Sequence, residues 1–203
     1  DPVKHTAALR AFLKAYPAHA RSAEAAMTLV QALIAQNKPD EAIEACKALY
    51  DRADWPAPAT NEMDKRTPAE RLESWRQMAF FQIGALHFAA RRYPQAIEQW
   101  RGYIAKHPDG GLWQQAQARI IEAEFQLCLE AVAADNREEA TKRFDAFIAA
   151  HPLDARCAQL LFLNGQWPYA TALKEKDAAK ARPLFESAIA EWARLIIKHP
   201  QSE

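Results

Sequence analysis

The sequence has little of what most catalytic and ligand-binding sites need. Only five glycines and four serines occur among its 203 residues, which leaves few positions for tight turns or for a phosphate-binding loop. β-Branched residues are also sparse, which argues against a large sheet. No HExxH, GxGxxG, GxSxG or Walker-type pattern is present, so the sequence contains no recognisable catalytic or cofactor-binding motif.

A net charge is missing as well. The 26 lysines and arginines balance the 26 aspartates and glutamates, so no net field attracts nucleic acid or an anionic membrane. No run of 18 apolar residues occurs, so we predict no membrane span. The chain starts at Asp1 without a methionine, as a piece of a longer protein would. Its compartment, cytoplasmic or bacterial cell envelope, is left open.

The three cysteines are too few and too widely spaced for a disulfide framework or a CxxC site. Cys46, Cys128 and Cys157 each lie in an apolar pattern of helical period. We therefore expect three buried free thiols, although their number also allows one disulfide.

Helix formers are what the chain has in abundance. Half of its residues are apolar and 26% are charged, and Ala, Leu, Glu, Lys, Arg and Gln dominate. Proline interrupts the helical period, and four interruptions close amphipathic segments of one design: FLKAYP, YIAKHP, FIAAHP and LIIKHP. Such recurrence is typical of stacked helix hairpins. The predicted helices are one at 2–15 and then the pairs 19–36 and 39–53, 68–91 and 94–107, 112–135 and 137–150, and 154–175 and 178–198.

Local signals support several of these boundaries. Thr67, followed by proline and with Glu70 three residues later, predicts a capped helix start. Asp177 predicts another cap. The stretch 56–66 has no apolar period and is predicted to be an exposed loop. Pro168 predicts a kink or a break within its helix.

Residues 77–108 resemble a tetratricopeptide repeat. That family's motif is Trp, two residues, Leu-Gly, two residues, Tyr, then Ala, three residues, Phe, and a closing Pro. The resemblance implies that the small residues Gly84 and Ala96 let two helices cross closely, and that the aromatic rings of Phe80 and Trp100 fill the space beside the crossing. The matching residues are Phe80, Ile83, Gly84, His87, Ala96, Trp100 and Pro108.

Residues 121–152 and 23–54 match the same pattern more loosely. In the last pair, Ala188 lies 23 residues after Gly165, whereas Ala96 lies 12 residues after Gly84. The excess of 11 residues is close to three helical turns, so the apolar stripe stays in phase. We predict a longer hairpin there and not a broken one.

The resemblance implies an all-α fold, a right-handed superhelical solenoid of antiparallel helix hairpins with about nine helices. We expect a single TPR-like solenoid over residues 1–203. It would be a fragment of a longer protein, flanked by further repeats or domains of the same chain. Its parts are a half repeat at 2–17 and hairpins at 19–54, 68–108, 112–152 and 154–200.

In this family the first helix of each hairpin lines the concave groove, and the resemblance implies which residues of these first helices lie there. The set is mainly apolar and lacks the Lys, Arg and Asn clamp with which chaperone-binding members hold a carboxylate. An amphipathic helix or extended peptide is therefore the expected ligand, unless the chain's own flanks or the superhelix curvature cover the stripe. The predicted groove residues are Met27, Gln31, Ile34, Met78, Phe81, Phe88, Glu122, Phe125 and Leu129.

Three histidines precede prolines at helix ends: His107, His151 and His199. A metal or acid–base cluster is one interpretation, and a cation-capable residue at the negative end of a helix is the other. Because successive repeats hold them roughly 10 Å apart, the second interpretation is favoured. His87, at the family's tyrosine position, is expected to be a partly buried, hydrogen-bonded histidine. We predict no catalytic, metal or cofactor site and no enzyme activity.

Two functions are compatible with these features. The first is a protein–protein interaction scaffold that binds a peptide or helix in the groove. The second follows from the segments WRQMAFFQIGALHFAARRYPQAIEQW, GLWQQAQARIIEAEF and HPLDARCAQLLFLNGQ. These are similar to repeat arrays that precede macroglobulin-like domains in some bacteria, which implies a spacer arm in a large envelope protein, with no ligand of its own.

Overall fold

A computed structural model describes residues 1–59 and 64–200, and within these ranges the chain forms nine α-helices and no strand. The helices are α1 (Pro2–Ala15), α2 (Ser22–Ala35), α3 (Pro39–Asp51), α4 (Pro68–Ala89), α5 (Tyr93–Lys106), α6 (Trp113–Ala133), α7 (Arg137–Ala150), α8 (Arg156–Ala172) and α9 (Ala178–Lys198).

All nine predicted helices are present, and their ends lie within three residues of the predicted ones. The fold is all-α, as predicted. Helix α8 runs unbroken through Pro168, so the alternative of a break there is wrong. Residues 56–59 and 64–66 of the predicted loop are non-helical, whereas its residues 60–63 lie outside the described part of the chain.

Side-chain caps define two helix starts as predicted. The Thr67 hydroxyl accepts a hydrogen bond from the Glu70 N–H at 3.2 Å, and the Glu70 carboxylate accepts one from the Thr67 N–H at 2.7 Å. This reciprocal pair satisfies two amide groups that the first turn of α4 leaves free. Asp177 accepts a hydrogen bond from the Ala179 N–H at 2.9 Å and caps α9.

Three hairpins turn in the same way. Asn37, Arg91 and Asp135 all have positive φ, between 50° and 57°, directly after a first helix. The following amide then bonds back to a carbonyl five residues earlier, as Arg92 N–H does to His87 O at 2.8 Å. This Schellman arrangement ends the helix and reverses the chain within three residues.

The chain divides into two compact units, Asp1–Ala123 and Glu124–Glu203. In the first unit α1 packs on α2, α2 on α3, α3 on α4 and α4 on α5, and α2 also contacts α4. In the second unit α7 packs on α8 and α8 packs on α9. Consecutive packing of this kind is typical of a helical-repeat array.

One apolar cluster forms the core of the first unit. Its members come from α2, α3 and α4, and Leu9 and Leu13 of α1 pack against it. Small and bulky side chains alternate across these helices, which allows close packing without large voids. The buried residues of the cluster are Ala26, Leu29, Val30, Leu33, Ala42, Ile43, Cys46, Leu49, Ala79, Ile83 and Leu86.

Candidate interaction surface

The crossing of α4 and α5 is built around one glycine and one tryptophan. A Cβ placed on Gly84 would lie 2.5 Å from Nε1 of the fully buried Trp100, so only glycine allows this approach. The Trp100 N–H donates to the Phe81 carbonyl at 3.2 Å. The rings of Phe81 and Phe88 lie 5.9 and 6.0 Å from Trp100, and Tyr93 makes an edge contact with Phe88. An aromatic cluster therefore surrounds the crossing, and the indole N–H of Trp100 has a hydrogen-bond acceptor within it.

The crossing of α8 and α9 repeats this arrangement. A Cβ on Gly165 would lie 2.7 Å from Cδ1 of Trp192, against 2.8 Å for the same atom of the first tryptophan. The Trp192 N–H donates to the Phe162 carbonyl, again at 3.2 Å. The rings of Phe162 and Tyr169 lie 6.3 and 5.3 Å from Trp192, and Phe185 makes an edge contact with Tyr169.

The two crossings match position by position despite the longer connection in the second. The excess of 11 residues lies mainly in the first two turns of α9, which has 21 residues where α5 has 14. The prediction of a longer, unbroken hairpin is confirmed. A profile of the tetratricopeptide repeat family matches residues 78–110, the stretch that contains the Gly84 crossing.

The chain is a tetratricopeptide-like helical-repeat protein. The TPR profile covers one repeat, and the recurrence of the glycine–tryptophan crossing extends the same design to the last hairpin. A comparison with curated proteins gave no match.

In the first unit, the predicted groove residues differ in how much surface they present. Met78 is 43% exposed and Gln31 is exposed. Met27 and Ile34 are half-buried against the core cluster. Phe81 is only 7% exposed, because it packs on Trp100 and Tyr103. Phe88 and Glu122 are half-buried.

The two remaining groove residues belong to the second unit. Phe125 is 7% exposed, since its ring contacts Phe147 at 5.9 Å and the Arg156 guanidinium lies 5.2 Å from its centroid. Leu129, one turn later on α6, is half-buried. That these nine side chains form one groove stays a prediction. Phe81 and Phe125 are buried and contribute mainly to packing.

Three cavities lie elsewhere. The one in the second unit has about 270 Å³ and lies between α6 and α7, where Glu124, Leu127 and Phe147 are among its lining residues. Another, of about 210 Å³, lies between α1, α2 and α3 beside Trp55. None of the three is lined by a predicted groove residue.

The helix-end histidines have different partners. The His107 Nε2 lies 3.3 Å from the Tyr50 hydroxyl, and burial lowers the pKa of His107. The His151 Nε2 lies 2.7 Å from the Glu124 carboxylate. Within the described residues, no three histidine, cysteine, aspartate or glutamate side chains come together as a metal site would require.

His87 is partly buried, as predicted, but the predicted hydrogen bond is not found at its Nδ1. That atom is buried and has no hydrogen-bond partner. Burial lowers the pKa of His87, and the positive charges of Arg92 and Lys47 lower it further, against a smaller opposite effect of Asp40. The neutral imidazole is therefore favoured.

Cations over aromatic rings were not foreseen from the sequence. The Lys106 ammonium lies 4.6 Å from the Phe80 ring and 5.3 Å from the Tyr50 ring, and the guanidinium of Arg76 donates to the Tyr50 carbonyl. Charged side chains thereby contact the aromatic residues at the interface between α3 and α4. The available signal was a Lys one residue before the helix-end His-Pro pair.

All three cysteines are buried free thiols, which confirms that prediction. Burial raises the pKa of Cys46 to about 12 and that of Cys128 to about 11. Burial also raises the pKa of Cys157. In the part of the chain that the structure describes, no helix combines the length and apolarity needed to cross a bilayer.

Proposed function

We propose that the chain is a protein–protein interaction scaffold that binds a peptide or amphipathic helix on the faces of its first helices. The observation that carries the proposal is the TPR profile match over α4 and α5, together with the partly accessible apolar side chains on first helices. Such a surface favours an apolar segment of a partner protein.

The first unit offers the best-defined part of this surface. Helices α2 and α4 contact each other, and Gln31 and Met78 are exposed on them. On the same two helices, Met27 and Ile34 of α2 and Phe88 of α4 are half-buried. A peptide on this face would contact exposed side chains first, with the buried Phe81 as a rigid support below.

A random-peptide display library panned against the purified chain tests this proposal. Selected peptides are expected to bind Met78→Glu at least about tenfold more weakly than the unaltered chain, a difference of about 1.4 kcal/mol. The matched control is Val3→Glu on α1, which changes an apolar residue that is 64% exposed. Phe81→Glu is unsuitable, because a charge at a buried position unfolds the hairpin.

Equal binding to Met78→Glu and Val3→Glu would contradict the proposal. Failure to select any peptide would instead favour the second hypothesis, a spacer arm of a bacterial envelope protein with no ligand of its own.

A further inference from the structure

Aromatic rings fill one position of the repeat in the hairpin of α4 and α5. The Phe80 ring of α4 lies 4.3 Å from the ring of Tyr50, which comes from the preceding second helix, α3. The Lys106 ammonium of α5 lies 4.6 Å from the Phe80 ring and 5.3 Å from the Tyr50 ring. The space between these three helices is therefore filled by two adjacent rings and a cation that contacts both.

The preceding hairpin has a small residue where α4 has its ring. Residues 23–54 align with residues 77–108 without a gap, as the shared repeat pattern requires. In this alignment Ala26 of α2 takes the position of Phe80. Ala26 is 7% exposed, so a buried methyl group stands where the next hairpin has a phenyl ring.

The second of the two rings is missing as well. The segment FLKAYP at the end of α1 aligns with YIAKHP of α5, which in turn aligns with residues 49–54 of α3. The second residue of these segments is Leu13 in α1 and Tyr50 in α3. Leu13 is partly buried against the core cluster, so an aliphatic side chain stands where α3 contributes a phenol ring.

A cavity of about 210 Å³ lies where the two rings are missing. Its buried apolar walls come from α2 and α3, whereas the side chains of Leu13, Arg52 and Trp55 at its edge are half-buried. The cavity is therefore apolar inside and has a partly accessible rim. We call it the Trp55 cavity, and its lining residues include Leu13, Ala26, Leu29, Leu49, Arg52 and Trp55.

The second unit shows the same relation independently. Residues 121–152 also align with the α4–α5 repeat without a gap, and Glu124 takes the position of Phe80. A cavity of about 270 Å³ lies there, lined by Glu124 together with Leu127 and Phe147. In both units, a cavity thus accompanies the loss of the aromatic residue from the first helix.

We propose that the Trp55 cavity binds a small, uncharged aromatic molecule. An apolar cavity of roughly 150 Å³ is large enough for benzene. The Arg52 guanidinium, 4.3 Å from the Trp55 ring, takes the position of Lys106 and offers a bound ring the same kind of cation contact. Arg52 already pairs with Asp54 at 2.8 Å, and the Trp55 N–H already donates to the Leu49 carbonyl at 2.9 Å. The cavity therefore requires no charged group from its ligand.

The equivalent site indicates why the ring comes from a free molecule. The chain supplies its own rings there through Tyr50 and Phe80, and the two corresponding positions here are occupied by Leu13 and Ala26. The volume corresponds to one or two rings and leaves no room for backbone as well. This proposal does not depend on the first-helix surface described above, because none of those residues lines the cavity.

p-Cresol, which has the ring and the hydroxyl group of tyrosine, serves as the probe. It is titrated into the full chain, and the indole N–H signals are followed by ¹⁵N–¹H NMR. The Trp55 signal should shift saturably, since this ring lines the cavity, whereas the signal of the fully buried Trp100 should not move. The absence of a saturable shift at Trp55 would overturn the proposal.

Two variants supply the missing rings from the chain itself. Ala26→Phe and Leu13→Tyr should each weaken p-cresol binding at least about tenfold, because the new ring takes the ligand's place. The matched control is Ala11→Phe, at an exposed residue of α1 outside the lining, which should leave binding unchanged. Circular dichroism establishes that each variant is folded. Should Ala26→Phe unfold the chain, the half-buried Leu13→Tyr decides, and undiminished binding to a folded Leu13→Tyr variant would contradict the proposal.

A second probe tests whether a protein side chain is the natural occupant. N-acetyl-tyrosinamide has the same ring with a peptide group on either side, and we expect it to bind at least about tenfold more weakly than p-cresol, because its backbone does not fit the cavity. Equal or tighter binding of N-acetyl-tyrosinamide would assign the cavity to an aromatic side chain of a protein chain and would overturn the proposal of a free aromatic molecule.

Discussion

At the scale of single residues, two tryptophans determine how closely paired helices approach. Each ring lies directly over a glycine of the partner helix and donates its N–H to a carbonyl three residues before that glycine. The glycines are therefore required by space and not by backbone conformation, since no glycine has a positive φ within the described ranges.

Two glycine substitutions in the same hairpin should have opposite effects. Gly84→Ala places a Cβ against the fully buried Trp100 and should lower the free energy of unfolding by about 1–3 kcal/mol. Gly102→Ala meets only Phe80, at 3.7 Å, and should raise the free energy of unfolding by about 0.5–1 kcal/mol through helix propensity. Urea denaturation measures both. Equal effects would mean that the ring does not constrain the glycine.

The three thiols are expected to be unreactive in the folded protein. Cys46 and Cys128 have pKa values raised to about 12 and 11 by burial, so almost no thiolate forms at pH 8. Titration with an aromatic disulfide reagent at pH 8 should give no rapid reaction in buffer and three thiols per chain in 6 M guanidinium. One fast thiol in the native state would show that a helix pair opens readily.

At the scale of secondary-structure elements, the sequence predicts the helices better than it predicts the turns. Proline and the apolar period identified nine helices because both act locally. The start of α2 was predicted three residues too early, at residue 19. The chain first forms a turn in which the Ser22 hydroxyl donates to the Tyr16 carbonyl at 2.6 Å, and that contact between two elements has no local signal.

The three hairpin turns could not be located from the sequence by glycine, because none of their positive-φ positions is a glycine. Positive φ falls on Asn37, Arg91 and Asp135, where tertiary packing imposes a conformation that arginine disfavours by itself. Depth of burial was equally inaccessible from the sequence. The resemblance to the tetratricopeptide family places Phe81 in the predicted groove, but its ring packs on Trp100, and only the three-dimensional crossing determines that.

The turn after α4 provides a test at this scale. Arg91→Gly should raise the free energy of unfolding by about 1 kcal/mol, because glycine adopts positive φ without strain. The same exchange at the exposed helical residue Gln95 should lower the free energy of unfolding by about 1 kcal/mol. Chemical denaturation of both variants compares them. A loss of stability in Arg91→Gly would contradict the Schellman assignment.

At the scale of the whole molecule, the chain consists of two units that each build their core from consecutive helices. In such arrays stability is roughly the sum of repeat and nearest-neighbour interface contributions, so a change at one interface between helices alters the free energy of unfolding by the contribution of that interface. Unfolding free energies of the chain therefore report on individual interfaces.

Acidification should weaken the first unit before its carboxylates titrate. The pKa values of His87 and His107 both lie below the ordinary 6.5, chiefly because of burial, so the unfolded chain binds protons more readily. Their contribution to stability is complete above pH 6.5 and is lost as the pH falls towards and through their lowered pKa values. The free energy of unfolding should fall from pH 7 to pH 5, and less so in His87→Gln. A rise in the free energy of unfolding over this range would contradict the lowered pKa values of the two histidines.

Interaction through the first-helix faces remains the central proposal for the molecule, and photo-crosslinking tests it most directly. A benzophenone side chain is introduced at Gln31, at Met78 or, as the control, at the exposed Ala105 of the second helix α5, and each protein is irradiated with a peptide selected by display. The account predicts covalent adducts from positions 31 and 78 and none from position 105. Adducts from position 105 alone, or equally from all three positions, would contradict it.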